Sequence, residues 1–419
     1  MRYKVSKVTD ITLGVGQYEA MTLDPKIEPS NACPVNHNAR KTARGEISST
    51  PNLNMDENGL WHARGHDQVR TILRSNHVKQ AGFGAELIAK MPSDMRPPVL
   101  HLEGEVHHDL RRKTARFFTP NYTDANYRGL MEKLSADLVG ELVKRGRADL
   151  SKISMKLAVE VAAQVVGLTD SSIPGMGARI SGLVNSPDPS KILEVLAARW
   201  NLLAFFFFDV RPAITKRKKQ PREDVISHVL GEGYTPPEVL SECVTYGAAG
   251  MATTREFICA AVMHFLERPK LRERFLIAGE VERHAMLGEI LRLEPVVTML
   301  ERRTTENLEV ESEGQTVTIP KGAKIVVHLE SANADERTVG PCPHDLRTDR
   351  ELPKGVQAAV MSFGDGHHRC PGSFIAIQET DIFLQKLLAL PTLRIERPAT
   401  IGWNETVKGY ELRNFILAV

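Results

Sequence analysis

The sequence predicts a mostly α-helical protein with a small β portion. Three observations lead to this fold class. Apolar residues recur at helical spacing through much of residues 66–293, segments that alternate between apolar and polar residues become frequent only after Pro295, and no change in composition marks a linker. We therefore expect one large domain over residues 56–419. Residues 1–55, which are polar and broken by Pro and Gly, are predicted to form an irregular N-terminal arm.

The first half of the chain is predicted to be helical after a short strand. Residues 59–64 resemble a strand, and residues 66–75 place Val69, Ile72 and Leu73 on one helix face. Residues 78–104 hold many Gly, Pro and Met residues, which predicts a long loop. Helical stretches are predicted beyond it at 107–167, 188–215, 223–231, 236–268 and 270–293.

The β portion is predicted after Pro295. Residues 308–310 and 316–319 alternate like the strands of a hairpin, with residues 320–322 as a turn, and residues 324–328 read as another strand. A coil rich in Pro and charged residues follows at 333–355. The chain then continues with a loop centred on Cys370, a helix at 372–390 and strand-like C-terminal segments.

Composition and charge exclude several classes of protein. The chain has 419 residues, of which 54 are basic, 52 are acidic and 42% are hydrophobic, as is typical of a soluble globular protein. The formal charge of +2 gives no support for nucleic-acid binding. No apolar run reaches the roughly 18–20 residues of a membrane span, and no apolar segment follows the basic N-terminus, so neither a span nor a signal peptide is predicted. The five cysteines predict free thiols and a cytoplasmic location.

The segment around Cys370 is the most informative part of the sequence. Two glycines before the cysteine and one after it allow tight turns and a close approach of the backbone to a flat ligand. A cysteine just ahead of a helix and beside His368 and Arg369 favours the thiolate form. Such a thiolate can be a nucleophile or a soft metal ligand. The Cys-Pro pairs at Cys33 and Cys342 lack this context and are interpreted as chance.

This segment resembles the haem-binding signature of the cytochrome P450 family, Phe-Gly-x-Gly-x-His-x-Cys-x-Gly. The matching residues are Phe363, Gly364, Gly366, His368, Cys370 and Gly372, and Ala376 and Glu379 fit the helix that follows in the family. The resemblance implies a cytochrome P450-type fold, haem b (iron protoporphyrin IX) as the cofactor, and Cys370 as the thiolate ligand of the iron. It also implies that Phe363, Gly364 and Gly372 contact the haem and that His368 bonds a propionate.

Charged residues elsewhere match further motifs of this family. Glu289 and Arg292 match its Glu-x-x-Arg motif, whereas taken alone they would be an exposed ion pair on one helix face. The family's third partner is an Arg in the following coil; Arg350 is our choice, with Arg347 as a close competitor. The residues that match other propionate ligands are His107, Arg111 and Arg302, with Arg303 next to the last of these.

The helix at 236–268 contains a run of small residues between Tyr246 and Thr254. By itself this run is as consistent with a close helix crossing as with a site. In the family the corresponding stretch is Ala/Gly-Gly-x-Asp/Glu-Thr-Thr over the haem, which implies that Thr253 and Thr254 are catalytic residues that steer protons during oxygen activation. Ala252 stands where the family usually has an acid. Glu256, one turn on, is either a substitute that acts through water or a surface or structural charge.

The resemblance implies a monooxygenase that inserts one atom of dioxygen into a small hydrophobic organic substrate. The pocket would be lined by the loops at 81–95 and 402–407 and by Tyr246, Ala249, Val296 and Val297. Because no flavin or dinucleotide fingerprint is present, electrons would come from a separate ferredoxin- or flavodoxin-type donor with its reductase. Arg112, Lys113 and Arg116 either help to dock this acidic donor or form a solvated helix face. A monomer is expected.

Alternative functions remain open from the sequence. The missing acid at position 252 suits a peroxide-driven peroxygenase or a non-oxidative haem-thiolate enzyme. A non-catalytic haem sensor or carrier would not need the oxygen-handling helix. A zinc site would draw on Cys342, His344, His367, His368 and Cys370, which offer suitable donor atoms without the Cys-x-x-Cys spacing of common zinc sites.

Overall fold

The computed structural model describes residues 41–42, 51–184 and 191–419. Most of the predicted N-terminal arm therefore lies outside the described residues. Within its last part, residues 53–55 form a strand. No helix among the described residues is long and apolar enough to cross a membrane.

Helices make up most of the described chain, as predicted. Those of the first half are α1 (His66–Arg74), α2 (Ala85–Ile88), α3 (Gly104–Thr114), α4 (Pro120–Asn126), α5 (Arg128–Arg145), α6 (Leu150–Val166), α7 (Met176–Val184), α8 (Ile192–Phe205) and α9 (Arg211–Lys219). The rest are α10 (Val225–Gly231), α11 (Pro236–Gly247), α12 (Thr253–Glu267), α13 (Pro269–Ile277), α14 (Glu280–Leu293), α15 (Leu329–Ala332), α16 (Glu336–Val339) and α17 (Ser373–Leu388). Single π-helical turns join α8 to α9 and α11 to α12.

The β portion consists of small sheets. Its strands are β1 (Leu53–Met55), β2 (Trp61–Ala63), β3 (Val78–Gln80), β4 (Arg147–Asp149), β5 (Met299–Thr304), β6 (Leu308–Ser312), β7 (Gln315–Ile319), β8 (Lys324–His328), β9 (Arg394–Arg397), β10 (Thr400–Asn404), β11 (Gly409–Arg413) and β12 (Ile416–Ala418). The largest sheet has the order β1-β2-β8-β5-β3, in which only the β2–β8 pair is parallel. The mostly α fold with a small β portion is confirmed.

Two apolar cores hold these elements together. The larger one gathers α5, α6, α12, α14 and α17, and α12 is buried along almost its whole length. The smaller one lies between α1 and the five-stranded sheet. The loop that precedes α17 touches α1. The cysteine loop is thus held between the helical body and the sheet region.

Several predicted boundaries were wrong for tertiary reasons. The stretch at 107–167 is interrupted by β4, because residues 147–149 pair with the C-terminal strand β12. The stretch at 270–293 is two helices, separated by Ala278 and Gly279. The predicted loop at 78–104 contains β3 and α2, and the sequence reading missed β5, which is the central partner of both β3 and β8.

The hairpin was predicted with its turn in the wrong place. Strands β6 and β7 pair in register from Ser312–Gln315 to Leu308–Ile319, so the hairpin turn is Glu313–Gly314. Both residues have positive φ, at 53° and 78°, which is the backbone that a tight two-residue hairpin requires. The turn at 320–322 instead leads from β7 to β8, which lies in a different sheet.

Candidate active site

The loop that carries Cys370 is closed by backbone hydrogen bonds. The Cys370 N–H donates to the Phe363 carbonyl at 2.9 Å, and the Gly364 N–H donates to the Met361 carbonyl at 2.8 Å. Gly366 has φ of 65°, and a Cβ there would lie 2.2 Å from the Leu73 carbonyl oxygen of α1. The motif glycine at 366 is therefore required both by its conformation and by the closeness of α1.

The Cys370 side chain is partly buried at the entrance to α17. Burial raises the pKa of its thiol, whereas the Gly372 N–H and the charges of Arg111 and Arg369 act in the opposite direction. A thiol in such a place becomes a thiolate most readily when a cation binds the sulfur directly. The chemistry of Cys370 thus fits a soft metal ligand better than a free nucleophile.

A cluster of basic side chains lies beside this loop. The His107 ring is almost fully buried and stacks on His368 at 4.2 Å between ring centroids, and neither His107 nitrogen has a hydrogen-bond partner among the described residues. Burial, together with the charges of His368 and Arg111, lowers the pKa of His107 to about 3. Nε2 of His368 lies 3.1 Å from a Glu103 oxygen.

Arginines complete this cluster. Arg302 is buried and donates to the Gln80 side chain at 2.5 Å, and burial lowers its pKa to about 10. Arg111 donates to the Arg369 carbonyl at 2.5 Å. Arg303, the neighbour considered from the sequence, points outward and donates to the Gly322 carbonyl. Buried cationic donors and an unpartnered imidazole fit a ligand with carboxylate groups, such as a haem bearing propionates.

The predicted oxygen-handling helix contains a π-helical turn over Ala248–Ala252. A Cβ on Gly250 would lie 3.4 Å from Ala162 of α6, and one on Gly247 would lie 3.1 Å from Ile180 of α7. These two glycines therefore serve the close helix crossings that the sequence left as an alternative. Ala249 is exposed on the same turn.

The two threonines that follow this turn differ in their surroundings. The Thr253 hydroxyl donates to the Ala249 carbonyl one turn earlier. The Thr254 hydroxyl is buried and hydrogen-bonds the Glu379 carboxyl of α17. Burial raises the pKa of Glu379 to about 8, and its Oε2 has no partner among the described residues. The sequence matched Glu379 only to the helix after the cysteine, because its contact with Thr254 is long-range.

Glu256 does not take the place of the acid missing at Ala252. Its carboxylate is buried and accepts hydrogen bonds from the Leu412 N–H at 2.7 Å, from Arg413 at 2.7 Å and from Arg255 at 2.8 Å. The interpretation as a surface charge was wrong. The contacts are those of a buried structural charge that joins α12 to β11.

Glu289, Arg292 and Arg350 meet in one buried network. Arg292 donates to both Glu289 oxygens at 2.7 and 2.8 Å, and Arg350 donates to Glu289 Oε1 at 3.0 Å. Arg347 contributes only its backbone N–H to Glu289, at 2.9 Å, while its side chain pairs with Asp349. Both arginines of the network also donate to backbone carbonyls of the coil at 333–345, which they brace ahead of the cysteine loop.

The residues predicted to contact substrate fall in two places. A cavity of about 290 Å³ is lined by residues 81–86, by the start of β5 and by Glu405, Thr406 and Lys408. It includes parts of both predicted loops. Tyr246 stacks instead on Phe118 at 6.0 Å, and Val297 bridges to Gly409. Tyr246, Ala249, Val296 and Val297 are not among the residues that line this cavity.

Two other predicted features can be located. Arg112 and Arg116 are exposed near the end of α3, and Lys113 between them is half-buried. The three side chains form ion pairs with Asp109, Glu232 and Glu223. Within the described ranges, no three His, Cys, Asp or Glu side chains converge as a metal site. The zinc alternative therefore has no geometric support.

Comparisons with known proteins agree with this geometry. The cytochrome P450 family model matches residues 284–396. The biotin biosynthesis cytochrome P450 of Bacillus subtilis is 26% identical over 366 residues, which cover 80% of this chain and 84% of that protein. Cytochrome P450 107B1 of Saccharopolyspora erythraea is 26% identical over 378 residues, or 84% of this chain and 87% of that protein.

Solved structures share the fold. P450BioI in complex with an acyl carrier protein ligated with hexadec-9Z-enoic acid superposes with a TM-score of 0.71 at 22% identity, over 86% of this chain and 92% of that one. CYP109B1 of Bacillus subtilis gives a TM-score of 0.71 at 22% identity, over 88% and 96% of the two chains. The cysteine loop, the basic cluster and these similarities lead to one conclusion. The chain is similar to bacterial cytochromes P450 over most of its length, and this similarity supports a haem-thiolate monooxygenase with haem b as its cofactor.

Proposed function

We propose that this P450 inserts one atom of dioxygen into a small hydrophobic organic substrate in the cytoplasm, and that residues 56–419 are its single haem domain. The observation that carries the proposal is the setting of Cys370, a partly buried thiol on a tied loop beside buried basic donors. Haem bound to such a thiolate supplies the activation of dioxygen. The side chains of this protein would bind and orient the haem and substrate and manage protons.

The haem would be held by residues of the loop and the basic cluster. Cys370 is proposed as the iron ligand, with Phe363, Gly364 and Gly372 against the macrocycle. The propionates would be bound by His107, Arg111, Arg302 and His368. In support, His107 offers two unpartnered ring nitrogens, and Arg302 has no carboxylate within ion-pairing distance in the described part of the chain.

Proton handling is proposed for the two threonines and Glu379. Thr253 holds its hydroxyl against the Ala249 carbonyl, and Thr254 hydrogen-bonds Glu379. Because the pKa of Glu379 is raised to about 8, its carboxyl keeps a proton at neutral pH. The Glu379 carboxyl would reach the threonine pair from α17. It would replace the Asp or Glu that the family usually carries at position 252.

The substrate is proposed to be apolar over most of its surface. Tyr246, Ala249, Val296 and Val297 are proposed to contact it, with the cavity between residues 81–86 and 405–408 as its entrance. Several structural neighbours are described with hydrophobic molecules, including corticosterone and testosterone. These neighbours are about 20% identical, so they support an apolar class of substrate and no particular compound.

Electrons are proposed to come from a separate ferredoxin- or flavodoxin-type protein. Arg112, Lys113 and Arg116 would form part of its docking surface, on the exposed side of α3 and the turn after it. Reversal of these charges should slow reduction by an acidic donor and leave substrate affinity unchanged. An unchanged reduction rate would argue against this surface.

A second candidate function is a peroxide-driven reaction. The observation that favours it is Ala252, a buried alanine at the position where the family usually carries Asp or Glu. Turnover with NADPH and a surrogate redox system should be compared with turnover by peroxide alone. Product from peroxide but none from the redox system would favour this candidate over the first.

The haem and its ligand are tested by the absorbance of the dithionite-reduced protein with carbon monoxide. A strongly red-shifted Soret band is expected, and Cys370→Ala should abolish it. Cys342→Ala is the matched control, since Cys342 is also a partly exposed cysteine of a Cys-Pro pair and should leave the band in place. An unshifted band in the natural protein would contradict the assignment of Cys370.

A further inference from the structure

Helix α8 carries a line of large apolar side chains on its outer face. The five that form the line, with their exposed fractions, are Leu193 (78%), Leu196 (55%), Trp200 (66%), Leu203 (52%) and Phe207 (48%), the last lying in the π-helical turn that continues the helix. They are spaced by three, four, three and four residues. We call these five residues the α8 seam.

Two further apolar residues of α8, Ile192 (72%) and Leu202 (39%), are exposed outside the alternating spacing of the seam, and the exposed apolar residues of other elements are scattered. Ile277 and Val281 are each more exposed, at 87% and 86%, but they lie near the ends of α13 and α14 and form no such line. Single exposed apolar residues are ordinary, whereas the seam offers roughly 600 Å² of nearly continuous apolar surface, which is the size of an interaction site.

The spacing of the seam indicates what covers it. Alternating steps of three and four residues keep side chains on one straight stripe of a helix, and such a stripe packs against another helix with the same spacing. Between Ile192 and Phe205 the helix carries one acidic and one basic residue, Glu194 and Arg199. This neutral balance favours neither a strongly charged protein partner nor the surface of an anionic membrane.

A second copy of the same chain meets these requirements. The sequence analysis expected a monomer; on the evidence of the seam we propose instead that the protein forms a two-fold dimer in which the α8 seams of two copies pack antiparallel. A two-fold contact brings a patch against itself, and a contact centred on Trp200 would place Leu196 of one copy beside Leu203 of the other. Burial of two seams gives roughly 1,000–1,200 Å² in total, at the low end for a specific interface, so the dimer should be reversible.

Helix α8, which carries the seam, packs against α7, and α7 packs against the π-helical turn of the candidate active site. Asn201 of α8 fills the space beside Gly182 of α7, where an added Cβ would meet its amide at 2.1 Å. Ile180 of α7 in turn lies against Gly247, at the start of the π-helical turn. Dimer formation would therefore restrain α7 and α8 without changing any residue that we assign to the haem.

The test is sedimentation velocity of the haem-loaded full chain over a dilution series from tens of micromolar to nanomolar. A dimer that dissociates on dilution is expected. Leu196→Lys combined with Leu203→Lys should be monomeric throughout, while Ile277→Lys combined with Val281→Lys should dimerise as the natural protein does. The absorbance and far-UV circular dichroism of each variant establish that it is folded.

Two results would overturn the proposal. A natural protein that is monomeric at the highest concentration would exclude the dimer, and flotation of that monomer with lipid vesicles would identify the seam as a membrane contact. A dimer that survives the lysines at 196 and 203 would place the interface elsewhere. The outcome does not depend on the substrate or redox partner, because neither is needed for the measurement.

Discussion

Glu242 of α11 ties the loop ahead of α3 to the helical body. Its Oε1 accepts a hydrogen bond from the Val99 N–H at 2.9 Å, and its Oε2 is buried without a partner among the described residues. Burial raises the pKa of Glu242 from its ordinary 4.5 to about 8, although the Val99 N–H opposes the shift. We therefore expect Glu242 to be protonated in the folded protein at neutral pH.

This raised pKa predicts that the free energy of unfolding falls as pH rises. Glu242→Gln should remove that part of the pH dependence. The folded protein keeps the proton up to about pH 8, whereas the unfolded chain releases it near pH 4.5. The contribution of Glu242 to stability is complete below pH 4.5 and is lost as pH rises toward 8. Each pH unit in this range costs about 1.4 kcal/mol. The free energy of unfolding of the natural protein should therefore fall by roughly 2.5 kcal/mol between pH 5 and pH 7, and the Gln variant should not show this fall.

The assay is urea unfolding at pH 5, 6 and 7, followed by far-UV circular dichroism. Glu238→Gln is the matched control, because Glu238 lies one turn earlier and accepts the Arg96 N–H at 2.8 Å. Burial would raise its pKa, but the Thr235 and Arg96 N–H groups lower it below 4.5, so Glu238 is ionised throughout this range. If the free energy difference between Glu242→Gln and the natural protein stays constant from pH 5 to pH 7, the reasoning is refuted.

Three further predictions concern the network, the cysteine loop and the N-terminal segment. Arg350→Ala should lower the free energy of unfolding by about 3–5 kcal/mol, since it leaves the buried Glu289 carboxylate short of a partner. Arg347→Ala should lower it by less than about 1 kcal/mol, since only the surface pair with Asp349 is lost, and urea unfolding measures both variants. Gly366→Ala should prevent stable haem retention through its positive φ and its clash with α1. Gly140→Ala, within α5 and with free space around it, should retain haem, and haem absorbance after gel filtration separates the two variants. Thr42→Val should lower the melting temperature through loss of about 1 kcal/mol, because the Thr42 hydroxyl donates to the buried Glu294 at the end of α14. Thr42→Ser keeps the hydroxyl and should not lower it, so equal melting temperatures of the two variants would contradict this contact.

Local chemistry made the cysteine loop predictable. The identity and spacing of Gly364, Gly366, His368, Cys370 and Gly372 are set within ten residues, because a tight turn, a helix start and a ligand thiolate are all local requirements. The alternation of apolar residues similarly indicated the strands after Pro295. Helical spacing indicated most of the helices, since each must bury one face.

Contacts between segments that are distant in the sequence decided which partners the charged residues have. The sequence favoured Arg350 and left Arg347 as a close competitor, because both lie in one coil and only the folded backbone turns one guanidinium toward Glu289. Glu256 and Glu379 are both carboxylates on helices, yet one binds the backbone of β11 and the other reaches Thr254. The sequence by itself indicated the family resemblance and the residues that we propose as haem ligands. The tertiary structure decided which charges are buried, which are paired and which are left to hold a proton, because burial depends on segments that are far apart in the chain.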